Sequence, residues 1–195
     1  MIRPAVAWAG VAALFAVCAL LGFLVDREAL DWQPSLVASE PWRAFTAIGV
    51  HYSVAHLVGN VAGAAITGAF GIVARAPARL AAAWLVAWPL TQLGLLVKPG
   101  LLHYGGLSGV VHAGVAVVIV FLLARGTRAQ RWVAGLVLLG FIAKLIHEAP
   151  WGPAVRYSDS WGINVAPIVH LTGAVSGAVC AAILLMFCSS LRNDP

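Results

Sequence analysis

Six long apolar stretches set the strongest limit on what this chain can fold into. Each is close to the ~20 residues that an α-helix needs to cross the hydrocarbon core of a bilayer. We therefore predict an all-α membrane protein, a bundle of six transmembrane helices with spans at about 4–25, 45–73, 80–97, 108–124, 132–148 and 163–188.

The composition supports a membrane location for the whole chain. Of its 195 residues, 62% are hydrophobic and 10% are charged, which leaves too little polar material to cover a soluble globule. The connecting stretches are short, so we expect one membrane domain over residues 1–195 that contacts lipids and carries no soluble domain.

The charged residues are distributed unevenly along the chain. The formal net charge of +5 is compatible with nucleic-acid binding, but the arginines gather in the connections after the second and fourth spans. Most acidic residues lie in the connections after the first and fifth spans. The positive-inside rule then predicts that both termini are cytoplasmic and that Ser108 opens toward the outside. This pattern argues against nucleic acid as a partner.

Two of the external connections contain several aromatic residues. Trp32 and Trp42 lie between the first two spans, and Trp151 and Trp161 lie between the last two. Because tryptophan suits the level of the lipid headgroups, we expect the first connection to lie on the membrane surface. We interpret the second connection as a lid over a cavity or as an interfacial loop with aromatic anchors. One loop can have both roles.

The fourth span begins with a serine between glycines, in the sequence Gly106-Leu107-Ser108-Gly109. The glycines allow another backbone to approach the hydroxyl, and the free amides of a first helical turn lie beside it. This is a workable position for a nucleophile, although small residues also mark ordinary packing between membrane helices. His112, one turn later, is poorly placed as a base, so we favour a structural or supporting role for it.

The second span is the most polar, with His51, His56 and Asn60 near its outer end. Polar side chains are costly in hydrocarbon and normally face a bundle interior or a water-filled cavity. His56 and Asn60 are one turn apart and share a helix face, whereas His51 is rotated away. The pair either forms hydrogen bonds between helices or supplies donors where negative charge develops during acyl transfer.

The sixth span contains His170, followed by Gly173 and Gly177 on the same face. This glycine spacing permits close approach of another helix, so His170 is presented where a neighbouring backbone comes near. A single helical histidine is nevertheless more often structural. At the end of the fifth span, Lys144 and Glu148 have the spacing of an ion pair, which we interpret as an ordinary paired helix end near the interface.

Together these residues are the parts of an acyl-transfer site. Ser108 would attack a carbonyl carbon while His170 accepts and returns the proton, and His56 and Asn60 would stabilise the oxyanion. No aspartate is evident to orient His170, so the hypothesis is a Ser–His dyad. The sequence has no spacing typical of a metal site, and we expect no cofactor.

The three motifs resemble, in order, those of the rhomboid family of intramembrane serine proteases. The resemblance implies a rhomboid-like fold in which Ser108 is the nucleophile, His170 the base, and His56 and Asn60 the oxyanion donors. It also implies a structural role for His51 and a gate in the connection before the sixth span. The further candidates for supporting or substrate-side positions are His51, Gly106, His112, Trp151 and Trp161.

Within that family, the chain looks most like the bacterial rhombosortases. The features are the bare six-helix core, the short first external connection, His112, and the pair formed by Lys144 and Glu148. This resemblance implies a multi-pass protein of the bacterial inner membrane whose site opens toward the periplasm. The implied substrate is an exported transmembrane protein, cleaved at a C-terminal sorting tail that contains Gly-Gly.

Three other functions are weighed against this one. The chain could be a general rhomboid protease for other single-span membrane proteins, a non-catalytic rhomboid-like chaperone or binding protein, or a small transporter with histidine proton relays. The presence of both Ser108 and His170 disfavours the non-catalytic interpretation, and the polar cluster at one side disfavours the transporter. The sequence makes no prediction of the oligomeric state.

Overall fold

The computed structural model describes residues 3–190 of the chain, and the side chains of residues 3–187. Residues 1–2 and 191–195 of the predicted domain lie outside the described residues. Within the described part, six helices are long and apolar enough to cross a membrane. The prediction of an all-α bundle of six transmembrane helices is thereby confirmed.

The helices and strands follow one another in a simple order. They are α1 Pro4–Gly22, α2 Arg27–Leu30, α3 Arg43–Thr46, α4 Val54–Val73, α5 Ala78–Leu93, α6 Ser108–Arg125, α7 Arg128–Glu148, β1 Arg156–Ser158, β2 Ile163–Val165 and α8 Ile168–Ser190. Short 3-10 turns occupy Pro34–Leu36, Ala47–Gly49 and Gly94–Val97. The two strands form an antiparallel hairpin, in which Tyr157 pairs with Asn164.

The second transmembrane helix begins at Val54, later than the predicted residue 45. The residues before it form α3 and a 3-10 turn, after which the chain is extended at Val50. Ser53 then caps α4, because its hydroxyl oxygen accepts the backbone N–H of His56 at 3.1 Å. Consequently His51 precedes the helix that carries His56 and does not share it.

The local sequence also explains the starts of the last two helices. Thr127 and Gln130 form a capping box, so α7 begins at Arg128 instead of residue 132. The predicted sixth span from residue 163 begins with strand β2, and α8 starts only at Ile168. Pro167 precedes it, and its fixed φ and missing N–H suit the start of a helix.

Helix α6 lies at the centre, where it packs against α4, α5, α7 and α8. Its contact with α8 is made backbone to backbone. A Cβ added at Gly173 would collide with the carbonyl oxygen of Gly109, and one at Gly177 would collide with that of Ala113. Because His170 lies one turn before Gly173, this approach brings it to the N-terminal end of α6.

Buried aromatic residues join α1, α5 and α6. The rings of Phe15 and Trp84 meet edge to face with their centroids 5.0 Å apart. The indole N–H of Trp84 donates to the carbonyl of Val110 at 2.7 Å, and that of Trp8 donates to the carbonyl of Ala76 at 3.0 Å. These bonds satisfy the polar edge of each indole and fix α6 relative to its neighbours.

The connection after α1 is attached to the loop that precedes α6. Trp32 and Tyr104 exchange backbone hydrogen bonds of 2.7 and 2.9 Å. Arg43, itself buried, reaches the buried carboxylate of Asp31 at 3.2 Å. The side chain of Trp32 is 0% exposed, so its ring packs inside the protein and does not anchor the connection by contact with lipid. Trp42, by contrast, is 51% exposed.

Helix α7 is the most exposed of the long helices. Ala134 is its single buried residue, while Trp132, Leu136 and Leu139 are exposed along one flank. Its principal partner is α6. The C-terminal end of α7 nevertheless carries a carboxylate, that of Glu148, toward α8.

Candidate active site

Ser108 is the first residue of α6, and the loop before it depends on Gly106. The φ angle of Gly106 is +139°, and a Cβ there would lie 3.0 Å from Cε1 of His56. The hydroxyl of Tyr104 donates to the carbonyl of Gly106 at 2.9 Å, and the N–H of Gly106 donates to the carbonyl of Ala47 at 2.9 Å. The loop is thus held on both sides, which fixes the entry to α6.

The structure brings Ser108 and His170 together across the contact between α6 and α8. His170 Nε2 lies 3.0 Å from Ser108 Oγ. This is the distance expected between an activated hydroxyl and its base. The close glycine contact described above is what permits it, since His170 is held one turn away from Gly173.

A carboxylate lies on the other side of the same imidazole. Glu148 Oε2 is 2.7 Å from His170 Nδ1, and Glu148 Oε1 is 2.5 Å from the ammonium of Lys144. The sequence indicated the Lys144–Glu148 pair but missed its contact with His170. The i, i+4 spacing was a signal for the ion pair, but no pattern relates residue 148 to residue 170 across an irregular connection.

The proton on Nδ1 of His170 can be assigned from its two neighbours. Lys144 Nζ also lies 3.5 Å from Nδ1, but an ammonium has only donors and cannot accept a proton from the ring. The much shorter contact to Glu148 is the one that fits a charge-assisted hydrogen bond. We therefore assign an N–H at Nδ1, which leaves the lone pair of Nε2 directed toward Ser108.

His112 supports the site and does not point at the Ser108 hydroxyl. Its Nδ1–H donates to the carbonyl of Ser108 at 2.7 Å. Its ring is stacked on that of His170, with centroids 4.1 Å apart and 15° between the planes. Its ring also contacts that of Phe141, with the centroids 5.4 Å apart. A structural or supporting role for His112 stays a prediction, and these contacts are compatible with it.

His56 and Asn60 lie one turn apart on α4 and line the same cavity as Ser108. Among the described residues, His56 Nδ1 and Asn60 Nδ2 are buried and have no hydrogen-bond partner. Buried polar atoms are normally paired, so an unpaired amide N–H and an unpaired ring nitrogen in residues that line a cavity are unusual. The two side chains therefore form a polar wall of the cavity.

His51 lies behind His56 and outside the cavity lining. It is 0% exposed, and its Nδ1–H donates to the carbonyl of Gly49 at 3.2 Å. Burial lowers the pKa of His51, against the opposing effect of that hydrogen bond. Its ring contacts that of His56 with the centroids 4.9 Å apart, so it supports the orientation of His56.

The cavity has a volume of about 260 Å³. Its polar lining includes Tyr52, His56, Asn60, Ser108, Glu148 and His170. Gly59 and Gly63 also line it, and these two positions and Tyr52 were not singled out by the sequence. Over the described residues 3–190, no three histidine, cysteine or acidic side chains form a group suited to a metal ion.

The β1–β2 hairpin contacts α4 at the rim of this cavity. The ring of Trp161 packs on Gly59, where an added Cβ would lie 2.7 Å from Cη2. The hydroxyl of Ser53 donates to the carbonyl of Trp161 at 3.0 Å. Trp161 therefore lines the cavity, whereas Trp151 is 70% exposed and lies outside its lining.

The sequence of the chain matches a known protein-family model. The model of the Rhomboid domain matches residues 38–187, which is more than half of the 195-residue chain. A comparison with curated proteins gave no match. The matched range contains all three motifs and every cavity residue named above, so the chain belongs to the rhomboid family, whose members are typically intramembrane serine proteases.

Proposed function

We propose that this protein is an intramembrane serine endopeptidase with Ser108 as the nucleophile and His170 as its base. The observation that carries the proposal is the 3.0 Å contact between Ser108 Oγ and His170 Nε2. Membership of the rhomboid family supports the same reaction class. A hydroxyl and an imidazole at this distance, beside a cavity lined by His56 and Asn60, are suited to acyl transfer.

In the proposed reaction, Ser108 Oγ forms a bond to the carbonyl carbon of the scissile peptide. The hydroxyl proton moves to His170 Nε2, and the carbonyl π electrons become the charge of an oxyanion. When the tetrahedral intermediate collapses, the C–N bond breaks and the leaving amine takes the proton from Nε2. A water molecule then hydrolyses the acyl-enzyme by the same steps.

His56 and Asn60 are the proposed oxyanion donors. Asn60 Nδ2 is buried and unpaired within the described residues, and the ring of His56 lines the same cavity. A donor that is already placed and desolvated stabilises developing charge without reorganising. Removal of one such donor costs roughly 10²–10³ in turnover in other acyl-transfer enzymes.

The proposed substrate is the C-terminal transmembrane tail of an exported protein, with a Gly-Gly sequence at the cleavage site, as in rhombosortases. His112 and the short first external connection resemble features of the rhombosortases, and this resemblance supports the choice of substrate. The size of the cavity, about 260 Å³ with the hairpin in place, also favours small side chains beside the scissile bond. Cleavage of other single-span proteins is the alternative.

The proposed location is the bacterial inner membrane, with cytoplasmic termini and a site open to the periplasm. Ser108 lies at the N-terminal end of α6, whereas Arg125 lies at its C-terminal end and Arg128 opens α7. Arg75 and Arg79 lie in and just after the connection from α4 to α5. These four arginines lie at the opposite helix ends from Ser108, and by the positive-inside rule their position supports the proposed orientation.

The reaction class is tested with a fluorophosphonate probe, which phosphonylates activated serines. We expect the purified protein to be labelled, and Ser108→Ala and His170→Ala to be unlabelled. The matched control is Ser39→Ala, which removes an exposed hydroxyl that donates to the carbonyl of Leu36, and this variant should label like the wild type. Labelling that survives Ser108→Ala would contradict the proposed nucleophile.

The substrate is tested separately with two model proteins that share one transmembrane tail. One carries Gly-Gly at the outer end of the tail and the other carries Leu-Leu. Preferential cleavage of the Gly-Gly protein, located by mass spectrometry, supports the rhombosortase-like function. Equal cleavage of both would favour a general rhomboid protease.

A further inference from the structure

We propose that Glu148 is a positioning residue for His170, so that the site is a Ser108–His170–Glu148 triad and not a dyad. This inference rests on the proposed serine protease function. The three side chains form a continuous chain of contacts, 3.0 Å from Oγ to Nε2 and 2.7 Å from Nδ1 to the carboxylate. The two contacts use opposite nitrogens of one ring, as a catalytic triad requires.

The carboxylate of Glu148 is held from its own helix. Lys144, one turn earlier on α7, binds Oε1 at 2.5 Å and leaves Oε2 for His170. The exposed fraction of the side chain falls from 45% for Lys144 to 24% for Glu148 and 13% for His170. The lysine thus faces solvent while the carboxylate reaches inward, which distinguishes this arrangement from a surface ion pair that contacts nothing else.

The positioning role of Glu148 follows from which nitrogen of His170 carries the proton. Glu148 accepts the Nδ1–H bond and so selects the tautomer in which Nε2 can accept the proton of Ser108. When Ser108 Oγ bonds to the carbonyl carbon, its proton goes to Nε2 and the ring becomes an imidazolium. The nearby negative charge stabilises that cation while Glu148 stays ionised and takes no proton.

Lys144 makes the Glu148→Gln variant especially informative. An ammonium is only a donor, so the oxygen of the introduced amide would turn to Lys144 and its NH₂ group to His170 Nδ1. Nδ1 would then act as an acceptor, Nε2 would carry the proton, and the ring could not accept the proton of Ser108. Replacing Lys144 by methionine in the same variant frees the amide to rotate and to accept from Nδ1.

The experiment measures the rate of fluorophosphonate labelling in wild type, Glu148→Gln, Lys144→Met and the double variant. We expect Glu148→Gln to slow the covalent step by roughly 10²–10⁴-fold, with little change in reversible binding of the probe. The double variant should recover at least about tenfold over Glu148→Gln, a gain that loss of packing cannot produce. Glu28→Gln makes the same chemical change at an exposed residue outside the cavity lining and serves as the control.

A second readout is the proton NMR spectrum of the protein in detergent. A strongly downfield imidazole N–H resonance that disappears in both Glu148→Gln and His170→Ala is expected for the Nδ1–H bond. The proposal is overturned if Glu148→Gln labels within about threefold of a wild type whose labelling requires Ser108, since the protease would then work without the carboxylate. Labelling that persists in Ser108→Ala would instead overturn the proposed function itself, and the triad with it.

Discussion

The imidazole of His112 lies flat against that of His170, with centroids 4.1 Å apart. Because its Nδ1–H is bonded to the carbonyl of Ser108, His112 is fixed to the helix that carries the serine. The stacked ring restrains the plane of His170, while Glu148 contacts its edge through Nδ1. Two different interactions therefore hold one side chain in place.

The stacking can be separated from the hydrogen bond by two substitutions of His112. His112→Ala removes both, and we expect it to slow fluorophosphonate labelling roughly 2- to 10-fold, since a stacked aromatic pair contributes about 0.5–1.5 kcal/mol. His112→Phe retains an aromatic face, so its labelling rate should fall less than that of His112→Ala. The comparison uses labelling rate constants of samples with equal thermal stability. Identical rates in the two variants would show that the stack has no role.

The contact between α6 and α8 predicts a stability difference between two glycines. At Gly177 an added Cβ would collide with the carbonyl of Ala113, whereas at Gly140 on α7 it would meet nothing within 4 Å. We expect Gly177→Ala to lower the free energy of unfolding by at least about 1–3 kcal/mol. Gly140→Ala should leave it unchanged or raise it by up to ~1 kcal/mol. Thermal unfolding in one detergent measures both. Equal unfolding temperatures would exclude a close helix contact.

The sequence was sufficient for the fold class and for much of the candidate site. Long apolar runs report local structure directly, so the six spans were predictable without knowledge of the packing. The spacing of Gly173 and Gly177 after His170 marked a face for close approach, and the structure places Ser108 there. The apolar runs and the glycine spacing are both local patterns, because each lies within one helix.

The contacts that were missed join residues far apart in sequence. Glu148 reaches His170 through a connection that contains a hairpin, and no periodicity predicts where such a connection returns. The burial of Trp32 was not predicted because its pairing with Tyr104 depends on how two loops meet. The predicted start of α4 failed because the apolar residues before Ser53 form short turns instead of a continuous helix.

The contact between Trp161 and Gly59 predicts that the hairpin limits access to the cavity. Trp161→Ala removes the ring that packs on α4, so we expect faster labelling by bulky fluorophosphonates and little change with a small one. Trp151→Ala is the matched comparison, because Trp151 is exposed and does not line the cavity. The measurement is the ratio of labelling rates for the two probe sizes. An unchanged ratio in Trp161→Ala would mean that the hairpin does not restrict entry.

The proposed orientation predicts which end of the bundle meets the periplasm. Ser160, in the turn of the hairpin, and Ala129, at the start of α7, are both exposed and lie at the two ends of α7 and its flanking connections. Each is changed to cysteine in a chain whose native cysteines are replaced by alanine. The arginines beside Ala129 should be retained in the cytoplasm, which places Ser160, at the opposite end, on the periplasmic side. A membrane-impermeant maleimide should therefore label Ser160→Cys in intact spheroplasts. Ala129→Cys should react only after the membrane is permeabilised, and the reverse pattern would place Ser108 and its cavity on the cytoplasmic side.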